Sequence, residues 1–117
     1  MSYKRISINT ALPGKAKSRV MIIYTGGTFG MTYDAGGVLI PFDFSLILEQ
    51  LPTLRNLFLD ITVISFDQPV DSSNIQPVHW QMIGEIIFEN YKDQDGFVVL
   101  HGTDTMAYTA SALPFML

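Results

Sequence analysis

Three short apolar runs constrain this chain more than any other feature: VMIIY at Val20–Tyr24, ITVISF at Ile61–Phe66 and GFVVL at Gly96–Leu100. A strand with one wet face alternates apolar and polar residues. A near-continuous, β-branched run instead suits a strand covered on both faces, as in a parallel sheet. The segments between the runs read as helices. Phe44–Leu51 (FSLILEQL) is a short helix stopped by Pro52. In Val78–Tyr91, Trp80, Ile83, Ile87 and Tyr91 recur at steps of three, four and four, which makes one apolar helical face, and Pro77 suits its first turn. Thr105–Leu117 is alanine-rich and reads as a last helix interrupted by Pro114. Strand and helix in alternation predict an α/β fold, a parallel sheet with flanking helices.

With 117 residues and 48% apolar content, the chain can bury a core of its own. None of its apolar runs approaches the roughly 20 residues of a membrane span, which predicts a soluble protein with no membrane partner. Five of the seven basic residues lie in the first nineteen positions, and no acid precedes Asp34. Residues 1–19 lack both apolar periodicity and a secretory h-region, so they read as a basic flexible leader. From residue 20 onward only Arg55 and Lys92 oppose eleven acids, a balance that repels a phosphate backbone and excludes nucleic acid as a partner. The absence of cysteine removes disulfides, thiolate metal sites and a cysteine nucleophile. No His and acid cluster has metal-ligand spacing, so neither metal nor cofactor is predicted. After Asp104 no charged residue follows, and the close ALPFML predicts that residues 20–117 are an incomplete amino-terminal domain of a longer protein.

In a parallel sheet the carboxyl ends of all strands share one rim, where ligands bind. Three loops leave those ends: TGGTFG after the first strand, DQPVDSSNIQP after the second and HGTDT after the third. TGGTFGMT lacks the lysine of a phosphate-binding P-loop, and its adjacent Gly26 and Gly27 break the dinucleotide pattern. Nucleophilic catalysis fits better. Thr28 follows the glycine pair, where a tight turn can present its hydroxyl, while HGTDT offers a second hydroxyl, Thr103, and a carboxylate, Asp104. Taken singly, each loop reads more readily as turn formers and helix caps, and it is three such loops on a single rim that weigh toward chemistry. His79 reads as a surface residue at a helix start, His101 as a hydrogen-bonded structural histidine, and Trp80 and Tyr91 as core contacts.

YTGGTFGM together with FVVLHGTDTMAYTASALPFML resembles the bacterial L-asparaginase family, particularly its cytoplasmic type I branch, and PVDSSNIQPVHWQMI resembles that branch's substrate loop and following helix. The resemblance runs from Val20 to Leu117 with the motifs in order. It implies that Thr28 is the nucleophile that attacks the side-chain carboxamide of L-asparagine, forming an acyl-enzyme ester that water resolves to L-aspartate. It implies that Thr103 and Asp104 are the second catalytic pair, with Asp104 also holding the substrate's amino group, and that Asp71, Ser72 and Ser73 grip its α-carboxylate and amino groups. The family's relay lysine lies beyond Leu117. A cytoplasmic homo-oligomer, with a second, smaller domain helping to close the site, is implied in the same way. Two other readings stay open: a non-catalytic amino-acid-binding α/β domain, and the asparaginase-like subunit of a tRNA-dependent amidotransferase. The short basic leader, with no extra amino-terminal domain, weighs against the latter.

Overall fold

The computed structural model describes residues 3–10, 14–25, 31–33, 35–37, 39–41, 52–66, 72–101 and 106–116. Six strands are present among them: β1 (Tyr3–Asn9), β2 (Ser18–Tyr24), β3 (Met31–Tyr33), β4 (Leu39–Pro41), β5 (Leu59–Phe66) and β6 (Gly96–Leu100). Two helices follow the later strands, α1 (Pro77–Asn90) and α2 (Met106–Met116). The main sheet has the order β1-β5-β2-β6, while β3 and β4 form a separate antiparallel pair. The expected helix at Phe44–Leu51 lies outside the described residues.

The three apolar runs become the parallel part of the sheet. Strand β2 sits between β5 and β6 and runs parallel to both, with Val20 opposite Ile61 on one side and Gly96 on the other. Alternate residues of β2 and β5 feed two separate clusters, which is why those runs are apolar throughout, but β6, expected to be covered on both faces, is last in the sheet order and leaves Val98 45% exposed. Met21, Ile23, Ile64 and Phe66 pack with Ile83, Ile86 and Ile87 of α1, with Leu113 of α2 against them. Tyr24, Ile61 and Val63 form the other cluster with Ile8, flanked by Ile6, Ile22 and Leu100.

The expectation for residues 1–19 differs from what is observed. Tyr3–Asn9 is a strand, paired antiparallel with β5 from Tyr3 opposite Phe66 to Asn9 opposite Asp60, so the sheet is mixed rather than wholly parallel. Two causes account for it. Ile6 and Ile8 point into the second cluster, and the β5 edge would otherwise present unpaired backbone groups. Buried Thr10 extends the ladder: its amide donates to the Leu59 carbonyl at 2.8 Å and its hydroxyl accepts the Leu59 amide at 2.8 Å. Across the sheet, Arg5 donates to Asn90 Oδ1 at 3.3 Å, and the Asn90 side-chain amide donates to the Ile86 carbonyl at 2.7 Å, linking β1 to the end of α1.

Helix α1 begins with Pro77 in its first turn, as its sequence predicts. His79 is buried rather than on the surface, because its Nδ1 accepts the Gln76 amide N–H at 2.9 Å and so satisfies a donor at the helix start. Ile83 and Ile87 face the core and Trp80 is half-buried, but Tyr91, at the C-cap just past the last helical residue Asn90, is 71% exposed rather than a core contact. Helix α2 continues through Pro114 to Met116 instead of breaking there. At the crossing of the two helices Gly84 lies under Met116, whose Cε would sit 3.8 Å from any added Cβ.

Tyr24, 2% exposed in the second cluster, has its phenol pushed above the ordinary value by burial. The folded chain therefore keeps this proton at alkaline pH where the unfolded chain releases it. The stability that the neutral phenol contributes is complete below the unfolded value and is lost as pH climbs from about 10. In Tyr24→Phe the alkaline limb of a stability-against-pH curve should be shallower than in the parent. Equal slopes would show that other groups govern alkaline unfolding.

Candidate active site

The order β5-β2-β6 sets the site. From β2 the chain moves to one neighbour, β5, then crosses back through α1 to the other neighbour, β6. The direction of winding reverses beside β2, and the crevice outside the carboxyl ends of β2 and β6 is the switch point at which open α/β sheets bind ligands. Residues 26–30 leave the first of these strands and residues 102–105 leave the second.

Their roots are tied together. Thr25, 1% exposed, directly follows β2, and its backbone amide and its hydroxyl both donate to the Leu100 carbonyl, at 3.1 and 3.0 Å. One carbonyl thus takes two donors from the first residue of TGGT, just where HGTDT begins. At the opposite end of the same pair, Arg19 and Asp95 close the register reciprocally. The Arg19 amide donates to Asp95 Oδ2 at 2.8 Å and the Asp95 amide donates to the Arg19 carbonyl at 2.7 Å.

Thr28, Asp71, Thr103 and Asp104 lie outside the described residues. Ser72 and Ser73 belong to a single 3₁₀ turn, Ser72–Asn74, between the carboxyl end of β5 and the start of α1, and Ser73 is exposed there. His101 ends β6 as a buried residue whose Nε2 lies 3.0 Å from Thr109 Oγ1 of α2, a structural hydrogen bond of the expected kind. Thr25 and Thr109 have roles that their sequence context does not announce. The only signal for Thr25 is its position at the junction of a strand and a glycine pair. Thr109 has none beyond its place one helical turn into α2. Among the described residues no group of three or more His, Asp or Glu could hold a metal ion, and no helix is long and apolar enough to cross a membrane.

Residues 19–117 match the family described as Asparaginase, N-terminal, and the chain belongs to that family. Its likeness to the type I branch is direct. It is 47% identical to L-asparaginase 1 of Escherichia coli K12 over 104 residues, covering 86% of this chain and 30% of that protein. The structure of L-asparaginase I from Vibrio cholerae superposes with a TM-score of 0.67 at 41% identity, over 86% of this chain and 30% of that one. A glutamyl-tRNA(Gln) amidotransferase subunit of Thermoplasma acidophilum is 35% identical over 117 residues, 98% of this chain and 28% of that protein. The chain therefore spans about 30% of the length of these relatives.

Proposed function

We propose that the full-length protein is a cytoplasmic amidohydrolase that converts L-asparagine to L-aspartate and ammonia, and that this chain is the first part of its larger amino-terminal domain. The observation that carries the reading is the double donation of Thr25 to the Leu100 carbonyl at the switch point. Thr28 is three residues beyond Thr25, and Asp104 three beyond His101. Extended chain covers about 3.6 Å per residue, so each stays within roughly 11 Å of its root. A nucleophile and a carboxylate on such short tethers can share one small substrate.

The chemistry balances with these residues in their roles. The Thr28 oxygen bonds to the carboxamide carbon as the base takes its proton, that proton passes to the departing nitrogen, and the C–N bond breaks to release ammonia. Water then attacks the ester, returning the hydroxyl and freeing aspartate. Thr103 and Asp104 form the second pair, with a lysine beyond residue 117 as base. The Asp104 carboxylate meets the substrate's ammonium, while Asp71, Ser72 and Ser73 hold its α-carboxylate and amino groups. No cofactor takes part. A homo-oligomer with a second domain closing over this rim completes the reading.

The test is ammonia release from L-asparagine, measured on the full-length protein and on the 117-residue chain alone. The full-length protein should turn over without any tRNA or partner protein, and the short chain should be inactive. A second reading draws on the likeness to the Thermoplasma amidotransferase subunit. Under it, asparaginase turnover would be absent and amide nitrogen would be released only in the presence of a partner protein. Binding of asparagine with no product under either condition would favour a non-catalytic amino-acid-binding domain.

A further inference from the structure

A buried hydroxyl in a helix needs partners, and Thr109 has found them on two other elements. It is 3% exposed on α2. The Trp80 indole of α1 donates to its Oγ1 at 2.7 Å, and the same oxygen lies 3.0 Å from Nε2 of His101, itself 9% exposed at the end of β6. An indole N–H can only donate, so one lone pair of the hydroxyl is committed to Trp80. Its remaining capacity serves the imidazole. Three side chains from α1, α2 and the end of β6 therefore meet on one oxygen.

The placement of this tie matters more than its strength. Residues 101 and 109 flank residues 102–105 in sequence, His101 directly after β6 and Thr109 in the first turn of α2. Apolar contact also brings α2 against α1, through Leu113 packed on the first cluster and Met116 over Gly84. The polar tie is the buried part of that contact, since Thr109 is the buried residue among those described in α2. It fixes His101, directly after β6, against the first turn of α2, and residues 102–105 lie between the two in sequence.

We propose that Thr109 is a positioning residue for the asparaginase reaction, its hydroxyl joining His101 to Trp80 so that the residues on either side of 102–105 keep a fixed separation. The inference rests on the reading of Thr103 and Asp104 as reacting groups. Thr109→Val keeps the branched shape and removes the hydroxyl, whereas Thr109→Ser keeps the hydroxyl.

In the full-length protein, Thr109→Val should lower kcat for asparagine on the order of 10–100-fold, the effect of a small misplacement of reacting groups. Thr109→Ser should recover activity to within about threefold of wild type, because the oxygen is restored. The His101 ring-nitrogen resonances should move in the valine variant and return in the serine variant, a readout that lost packing alone would not produce. Should Thr109→Val fail to fold, Thr109→Ala compared with Thr109→Ser makes the same test. Valine activity within about twofold of wild type, or equal damage from valine and serine, overturns the proposal. A wild-type protein that releases no ammonia sinks the asparaginase reading and this inference together, whereas an active wild type with an equally active Thr109→Val removes only the inference.

Discussion

Thr28→Ala in the full-length protein is expected to lower ammonia release from L-asparagine by at least about a thousandfold while leaving the fold unchanged. Alanine has no oxygen with which to form the ester, and bulk water cannot take its place without the same activation. The loss should fall on kcat, since the groups proposed to grip the zwitterion, Asp71, Ser72, Ser73 and Asp104, remain. Thr28→Ser should retain measurable turnover, because it keeps the attacking atom and loses only the methyl that restricts its rotamer. Ammonia release is followed directly, and far-ultraviolet circular dichroism with a thermal melt checks the fold. Normal turnover by Thr28→Ala would remove residue 28 from the chemistry and leave TGGT as a turn. A comparable loss without a change in asparagine affinity would separate nucleophile from binding group.

The features readable from sequence are those determined by local pattern. Gly96–Leu100, last in the sheet order, is a strand that is only half-buried, with Val98 45% exposed, whereas the runs at Val20–Tyr24 and Ile61–Phe66 are strands with packed residues on both faces, as their composition requires. The period through Trp80, Ile83 and Ile87 marks α1 for the same reason. β1 is not legible in this way. Its alternation amounts to Ile6 and Ile8 among basic and polar residues, and what makes it a strand is the open edge of β5, about fifty residues or more away in sequence. His79 and Tyr91 depart from expectation at the two ends of α1, where one residue of helix boundary decides whether a side chain caps, packs or is exposed.

The site shows the same division. Its motifs are visible in the sequence, and the parallel pairing of β2 with β5 and β6 puts the strand ends that they follow on one side of the sheet. The ties between the described strand ends and helices are not visible in the sequence. Thr25 and Thr109 are hydroxyls among many, and only the pairing of Tyr24 with Leu100 and the approach of α2 to α1 give them their partners.

The second large effect is on stability rather than chemistry. Ile64 is fully buried and packs with Met21, Ile23, Ile83, Ile86 and Ile87 where α1 meets the sheet. Ile64→Ala removes three carbons from a site walled by two strands and a helix, and the walls can close only partly over the gap. The expected cost is about 3–4 kcal/mol, against about 1 kcal/mol for Ile64→Val, which removes a single methyl group. A stability margin of roughly 5–15 kcal/mol leaves the alanine variant folded at low temperature but with a much lower denaturation midpoint. Urea unfolding of the full-length protein measures both variants. Equal losses from valine and alanine would mean that the site relaxes freely and is not close-packed. Because Ile64 lies in the core and not on the rim, kcat per folded molecule should stay near wild type in both variants. Thr28→Ala and Ile64→Ala then act in opposite ways, the one abolishing turnover in a stable protein and the other weakening a protein that still turns over. That separation is expected only if the core carries the fold and the loops at the carboxyl ends of β2 and β6 carry the chemistry.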